Sequence, residues 1–188
     1  NTYQRRKTIA EQAAWDFINS QTGDSTLELS VINPGGVMGP TLGTDLDGAS
    51  LSICSKLLNR KMPGIPNLRV PLVDVRDVAR HHYLAMITPE ANHKRFISAH
   101  AKPTAMIDMA RTLKEHGFNV PTNKVPSFLL KILSLFDAEA KGMLPLLDRD
   151  VHCDNAETRS LFNWNPIPLK QTFLDMANSV QAVLTTKN

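Results

Sequence analysis

Between residues 27 and 98 the chain alternates two periods, short runs with every second residue apolar and longer runs with apolar residues every three or four positions. Leu27-Glu28-Leu29-Ser30-Val31-Ile32 alternates and then turns apolar before Asn33-Pro34-Gly35-Gly36, which predicts a strand over 27–32 feeding a glycine-rich bend. Asp47 to Arg60 sets Leu51, Ile53, Leu57 and Leu58 at helical intervals. Lys61 to Asn67, punctuated by Pro63, Gly64 and Pro66, reads as a loop, and Leu68 to Val73 as a short strand. Asp74 then precedes a helical stretch from Val75 to Ile87 with Asp77 in its first turn, acid that suits the positive end of a helix. Thr88-Pro89-Glu90 ends it, and Arg95 to Ser98 reads as a further strand. Strands separated by helices in this way predict an α/β fold built on a parallel sheet.

Helical spacing dominates elsewhere. Gln4 to Asn19 places Ile9, Ala13, Ala14, Phe17 and Ile18 on a helix that stops before Gly23. Thr104 to His116 reads as a helix stopped by Gly117, and Val120-Pro121-Thr122 as an extended piece. Pro126-Ser127 opens an apolar stretch through Phe136, Pro145 breaks Leu144 to Leu147, and Asn155 is placed to cap a short helix ending near Phe162. Pro168 opens a last amphipathic helix to about Val183. The helix-rich second half is expected to form a smaller lobe beside the sheet, and no internal repeat is present.

A chain of 188 residues with 42% hydrophobic and 21% charged residues has material for a core. It contains no apolar run approaching the roughly 18 to 20 residues of a membrane helix, and Asn1 to Lys7 lacks the apolar centre of a signal peptide, so a soluble chain is expected. Cys54 and Cys153 lie far apart, which argues against a disulfide framework or a structural zinc site and fits a reducing cytoplasm. The formal charge of +3 and pI near 9.0 raise the question of nucleic acid. Lys and Arg are interspersed with Asp and Glu apart from Arg5-Arg6-Lys7, and aromatics are 6% of residues without interleaving with basic ones, so nucleic-acid binding is set aside. His81 and His82 would point about 100° apart on a helix and cannot share a metal as residues four apart can. His93, His100, His116 and His152 stand alone in sequence, and no Gly-x-Ser-x-Gly or Walker-type loop occurs. Asp74 and Asp77, at a helix start, read as capping residues, and Trp15, Trp164 and the methionines as packing.

The chemistry points to the start of the chain. Tyr3 and Lys7 are four apart, so a helix stacks them on one face. Tyrosine has an ordinary pKa of about 10, and a neighbouring ammonium favours the phenolate, which makes the pair a candidate acid/base; an ordinary exposed helix face is the competing reading. Ligands of open parallel sheets bind beyond the carboxyl ends of strands, where Asn33 to Pro40 falls. Glycines there permit close backbone approach and offer N–H groups to a carboxamide or carbonyl; a tight turn needing positive φ is the alternative.

Tyr3-Gln4-Arg5-Arg6-Lys7 with Glu11 to Trp15 behind it, then Asn33-Pro34-Gly35-Gly36-Val37-Met38-Gly39-Pro40, then Val73-Asp74-Val75-Arg76-Asp77-Val78-Ala79, resemble three successive landmarks of the extended short-chain dehydrogenase/reductases. More narrowly they resemble the branch of dihydroflavonol 4-reductases and related NADPH-dependent aldehyde and ketone reductases. The likeness continues through Asn92 to Ile97, Leu113 to His116 and Leu161 to Trp164.

The resemblance implies the C-terminal part of a Rossmann-type parallel sheet with a helix-rich substrate-binding lobe. Residues 1–41 and 71–100 would belong to the dinucleotide-binding domain, 42–70 to a substrate-lobe insertion and 101–188 to the helical lobe. Tyr3 would be the general acid at the substrate carbonyl. Lys7 would hold the nicotinamide ribose, and Pro34, Gly35, Gly36 and Val37 would line the nicotinamide end of the groove. Met62, Pro63, Ile65 and Pro66 would be apolar substrate contacts. NADP(H) in preference to NAD(H), a small aldehyde or ketone, and a homo-oligomer through the Tyr3–Lys7 helix, with Ala10, Ala13, Ala14 and Phe17 in the contact, complete the expectation.

Two departures stand out. The sequence lacks the strand, glycine-rich turn and helix that cradle the pyrophosphate in that family, together with the upstream serine or threonine, so the chain alone is expected to bind dinucleotide poorly and to be inactive. Arg6 stands where the family carries serine, and is expected to face solvent. A sugar-nucleotide epimerase or dehydratase of the same superfamily and a non-catalytic fragment are the competing readings.

Overall fold

The structure, a computed structural model, describes residues 2–23, 26–62, 64–135, 142, 144, 147 and 149–186, with Thr2, Tyr3, Lys131 and Leu133 as backbone alone. The Tyr3 side chain, Pro63, Phe136 and Pro145, named above, lie outside the described residues. Helix α1 (Thr2–Asn19) leads into β1 (Ser30–Pro34) and β2 (Gly36–Met38), followed by α2 (Ala49–Leu58) and the short strands β3 (Ile65–Pro66), β4 (Arg69–Val70) and β5 (Leu72–Asp74). Then come α3 (Val75–Ile87), a 3-10 turn (Pro89–Ala91), β6 (Lys94–Ser98), β7 (Thr104–Ala105), α4 (Met106–Glu115) and β8 (Lys124–Val125). Helices α5 (Ser127–Leu133), α6 (Ala156–Leu161) and α7 (Leu169–Thr186) complete the described elements.

The expected parallel α/β architecture is present. β1 runs parallel to β6 from Ser30 opposite Lys94 to Pro34 opposite Ser98, and β2 runs parallel to β5 from Gly36 opposite Leu72 to Met38 opposite Asp74. The chain therefore changes partner at Gly35, whose N–H donates to the Ser98 carbonyl (3.0 Å), whereas the Gly36 N–H donates to the Pro71 carbonyl (2.8 Å). β5, α3 and β6 follow one another as strand, helix and strand, the order in which parallel strands are connected. Small pairs flank it, β3 with β8 in parallel and β4 with β7 antiparallel.

Several boundaries differ from the sequence expectation. The first strand begins at Ser30 rather than Leu27, because the Gln21 carboxamide both donates to the Leu27 carbonyl and accepts from the Leu27 N–H, occupying that peptide before a strand can. The 61–67 segment is not wholly loop: Ile65 and Pro66 form β3, with the Ile65 N–H on the Asn123 carbonyl. The 68–73 strand is split at Pro71, which has no N–H for a ladder. Thr104 and Ala105 pair with β4 and leave α4 to start at Met106, and the extended piece after Val120 pairs at Lys124–Val125, two residues later than expected. Asn155 occupies the N-cap position of α6, yet its side chain donates to the Ala99 carbonyl (2.7 Å); Asp154 accepts the Ala156 N–H in its place (3.0 Å). α7 continues past Val183 to Thr186.

Two apolar clusters hold these elements. In the larger, Met106, Met109, Ala110 and Leu113 of α4 and Phe173, Met176, Ala177 and Val180 of α7 each follow the i, i+3, i+4, i+7 spacing and close on Cys54 and Leu57 of α2. The smaller gathers Val73, Ala91, Phe96, Phe162 and Trp164. Full burial of one such side chain contributes about 1.5–3 kcal/mol, so these two faces, not α1, carry most of the stability.

Candidate active site

α1 forms because Ala, Gln, Glu, Lys and Arg fill it and no Gly or Pro interrupts it. Residues four apart on such a helix lie about 40° apart around its axis, and this sets positions 3 and 7 one turn apart on one side. Lys7, Glu11 and Trp15 of α1, Asn33 of β1 and Arg95 of β6 line a cleft of about 540 Å³. Lys7 thus lines the same cleft as Asn33, the residue immediately before the Pro34–Val37 bend. Arg6 is exposed, as expected.

The floor of the cleft is polar and cross-linked. Glu11 receives the Arg95 guanidinium through Nε and through Nη2 (3.2 Å) and also the Trp15 indole N–H (3.3 Å). The Arg95 bond, against the penalty of burial and with help from Trp15, holds the Glu11 carboxyl below the usual carboxylate range. Trp15, half-buried, does more than pack, since its ring also stacks on His93, with centroids 6.1 Å apart. The Asn33 Nδ2 is buried and has no hydrogen-bond partner among the described residues.

The glycines of the bend act by lack of bulk. A Cβ on Gly35 would lie 2.4 Å from the Pro71 carbonyl oxygen and 2.9 Å from the Ala99 Cβ, so only glycine lets the chain cross between β5 and β6 there. Neither Gly35 nor Gly36 has positive φ; Gly39 does, at +135°. The amide N–H groups of Gly35 and Gly36 are taken by Ser98 and Pro71, which corrects the expectation that they face a ligand carbonyl. Pro34 and Gly36 nevertheless leave exposed surface at this strand end, and Val37 is half-buried.

Of the expected substrate contacts, Met62 packs partly buried against the larger cluster, whereas Ile65 and Pro66 are buried, Ile65 in that cluster and both committed to β3. A second, apolar cleft of about 160 Å³ lies under the bend, lined in part by Val37, Met38, Pro40, Leu51, Val75 and Met176. Its residues are drawn from four separate stretches of sequence, which is why no local pattern announces it.

The remaining candidates resolve into structure. Asp74 is fully buried and caps α3, accepting the Arg76 N–H (2.8 Å) and a two-pronged contact from the Arg76 guanidinium (2.8 and 2.7 Å). It also accepts the Thr172 hydroxyl of α7 (2.7 Å), while Asp77 accepts the Ile167 N–H (3.0 Å). Among the described residues no three His, Cys, Asp or Glu are placed to hold a metal, and no helix is long and apolar enough to cross a membrane. Burial pushes the Cys54 thiol up to about 12, which leaves it inert as a nucleophile. Glu11, Asn33 and Arg95 of the cleft are residues that sequence reasoning did not single out. Asn33 adjoins the bend and Glu11 lies one turn beyond Lys7; nothing local pairs Arg95 with either.

No protein-family profile matches the chain. An uncharacterized oxidoreductase of Saccharomyces cerevisiae is 27% identical over 188 residues, 97% of this chain and 51% of that protein. The NADPH-dependent methylglyoxal reductase of the same yeast is 32% identical over 131 residues, 67% of this chain and 38% of that one. The crystal structure of yeast methylglyoxal/isovaleraldehyde reductase complexed with NADPH superposes with a TM-score of 0.70 at 23% identity, covering 95% of this chain and 55% of that one. UDP-glucose 4-epimerase of Stenotrophomonas maltophila reaches the same TM-score at 14% identity, covering 98% and 56%. At these identities the superpositions carry the fold, which is Rossmann-type. The chain spans about half the length of the curated relatives it matches. In its landmarks, its reductase relatives and its parallel sheet, the chain is similar to the extended short-chain dehydrogenase/reductases over the part of their length that it spans.

Proposed function

We propose that this chain is the Tyr–Lys and substrate-lobe portion of an NADPH-dependent reductase of small aldehydes or ketones, of the dihydroflavonol 4-reductase type. The observation that supports the reading is the cleft lined by both Lys7 of α1 and Asn33, at the head of the Pro34–Val37 bend. Its donors suit the nicotinamide end of a dinucleotide: an ammonium at Lys7, an Asn33 amide N–H without a partner among the described residues, and exposed surface at Pro34 and Gly36. When bound, the dihydronicotinamide supplies the hydride. Tyr3 delivers the proton to the carbonyl oxygen as charge develops there, and Lys7 holds a ribose hydroxyl and favours the phenolate of Tyr3 once the proton has left. The apolar cleft under the bend receives the carbon skeleton of the substrate, with Met62 and Pro63 nearby in sequence to α2 as further wall. In this reading residues 1–41 and 71–100 serve the dinucleotide side, and 42–70 and 101–188 the substrate side. The protein acts in the cytoplasm, without nucleic-acid or membrane partners, and pairs with a second copy through α1.

Sugar-nucleotide epimerisation is the second reading, favoured by the epimerase superposition at the same TM-score. Turnover of a panel of small aldehydes and ketones with NADPH by the full-length gene product, beside UDP-glucose, separates the two. Carbonyl reduction that Tyr3→Phe lowers by about 10²–10⁴-fold, the range of general acid catalysis, with an unchanged circular dichroism spectrum, is the expected result. Interconversion of UDP-sugars without net NADPH oxidation would replace the reductase reading. The 188-residue chain by itself is expected to leave NADPH fluorescence unchanged on titration; saturable micromolar binding would show that the nucleotide site is already complete in it.

A further inference from the structure

The segment Asp154–Ile167 lies as a strap over β6 and α3. Its α6 end reaches the edge of β6, where the Asn155 Nδ2 donates to the Ala99 carbonyl (2.7 Å) and the Thr158 hydroxyl to the Ile97 carbonyl (2.9 Å). Its far end reaches α3 through the Ile167 N–H on Asp77 (3.0 Å). Between these anchors sits His81 of α3, fully buried. Its Nδ1 is 2.7 Å from the Ser98 hydroxyl. Phe162 stacks on the ring at a centroid distance of 5.6 Å, and Trp164 meets it edge to face at 4.6 Å. The Nε2 has no hydrogen-bond partner among the described residues, and neither does the Trp164 indole nitrogen.

A neutral imidazole fits this pocket and an imidazolium does not. The neutral ring needs one good partner, which Ser98 supplies, and its bare nitrogen tolerates an apolar neighbour at moderate cost. Protonation makes both nitrogens donors and adds a charge, leaving the Nε2 N–H buried with no acceptor among the described residues. We propose that His81 makes the strap acid-releasable: the neutral ring seats Phe162 and Trp164, and its protonation lifts the 154–167 segment from β6 and α3.

The charges acting on the ring all belong to α3. Asp77 attracts the cation, whereas Arg80 and His82 repel it; β6 contributes the uncharged Ser98 and the strap the uncharged Phe162 and Trp164. Burial, ahead of these charges, holds the His81 ring below the ordinary histidine range. Asp77 is the carboxylate that attracts a protonated His81, and its Oδ2 accepts the strap's Ile167 N–H. Because the folded value lies below the unfolded one of about 6.5, the contribution is complete above that pH and declines as pH falls through it.

Hydrogen exchange of the purified chain at about pH 8 and about pH 5, corrected for intrinsic rates, with an NMR titration of the His81 ring nitrogens, tests this. The expected result is exchange over 154–167 faster at the lower pH by about tenfold or more, with α4 and α7 unchanged, in step with protonation of His81. In His81→Gln, which keeps a donor toward Ser98 and cannot titrate, strap exchange is expected to be the same at both pH values. Strap protection that survives protonation of His81 would overturn the proposal, as would loosening while the ring is still neutral. Should the variant fail to fold, the wild-type titration alone decides between these outcomes.

Discussion

Asp74 joins more of the molecule than any other carboxylate described. Burial alone would raise its pKa, but hydrogen bonds from Arg76 and Thr172 outweigh that and hold it below the usual range. A lowered folded value means that its stabilisation is complete above the unfolded pKa of about 3.9 and is lost as pH falls through the folded value. Thr172→Val removes one bond to a charged group and should cost about 2 kcal/mol, read as a lower urea midpoint at unchanged slope. Asp74→Ala removes the α3 cap and the acceptor of the buried Thr172 hydroxyl, leaving Arg76 with Asp175 alone among the described residues, and should cost about 3 kcal/mol; a loss no larger than that of Thr172→Val would refute the cross-link. Gly35 and Gly36 differ in the same experiment. An added methyl at Gly35 meets the backbone oxygen of Pro71, whereas at Gly36 it meets the end of the Leu72 side chain at 2.9 Å, which can turn away. Gly35→Ala should therefore destabilise by about 3 kcal/mol and Gly36→Ala by about 1 kcal/mol or less; equal midpoints for the two would contradict the crossing geometry.

At the scale of elements, what the sequence discloses is whatever a single segment's period encodes. The ends of α3 were legible, since the Asp74 cap and the Thr88-Pro89 stop are local, whereas Asp77, read as a capping residue, accepts the Ile167 N–H from ninety positions away. β3 and β8 were not, because two-residue strands beside prolines carry no period, and their pairing joins residues some sixty positions apart. The Tyr–Lys spacing and the Asn-Pro-Gly-Gly bend could be read locally, while the Glu11–Arg95 contact spans 84 positions and the Asp74–Thr172 bond 98, distances at which only folding reveals a neighbour. Among the described residues nothing covers the stripe of α1 that carries Ile9, 58% exposed, and Phe17, 57% exposed, together with Ala10 and Ala13. The described links of α1 to the rest of the molecule are few, the Glu11–Arg95 ion pair, the Trp15–His93 stack and the buried Ile18. Amides of α1 should accordingly exchange much faster than those of α4 and α7. Phe17→Glu should leave the melting temperature within about 2 °C while reducing self-association in sedimentation velocity, if that stripe is where copies meet.

For the molecule as a whole, β1 pairs with β6 on one side, and on its other side no strand accompanies it among the described residues. Its two faces open into clefts, Asn33 toward α1 and Ile32 toward α3 with His82 and Met86. An unaccompanied strand presents a row of peptide donors and acceptors to whatever approaches. The sedimentation coefficient should therefore rise with protein concentration, more steeply in sulfate than in chloride at matched ionic strength, since excluded salts favour burial; a constant value across the series would count against it. A polypeptide with such a border is never indifferent to its neighbours in solution. Dilution becomes a structural variable for it, so that an assay run on the sparse protein and one run on the crowded protein interrogate two different objects.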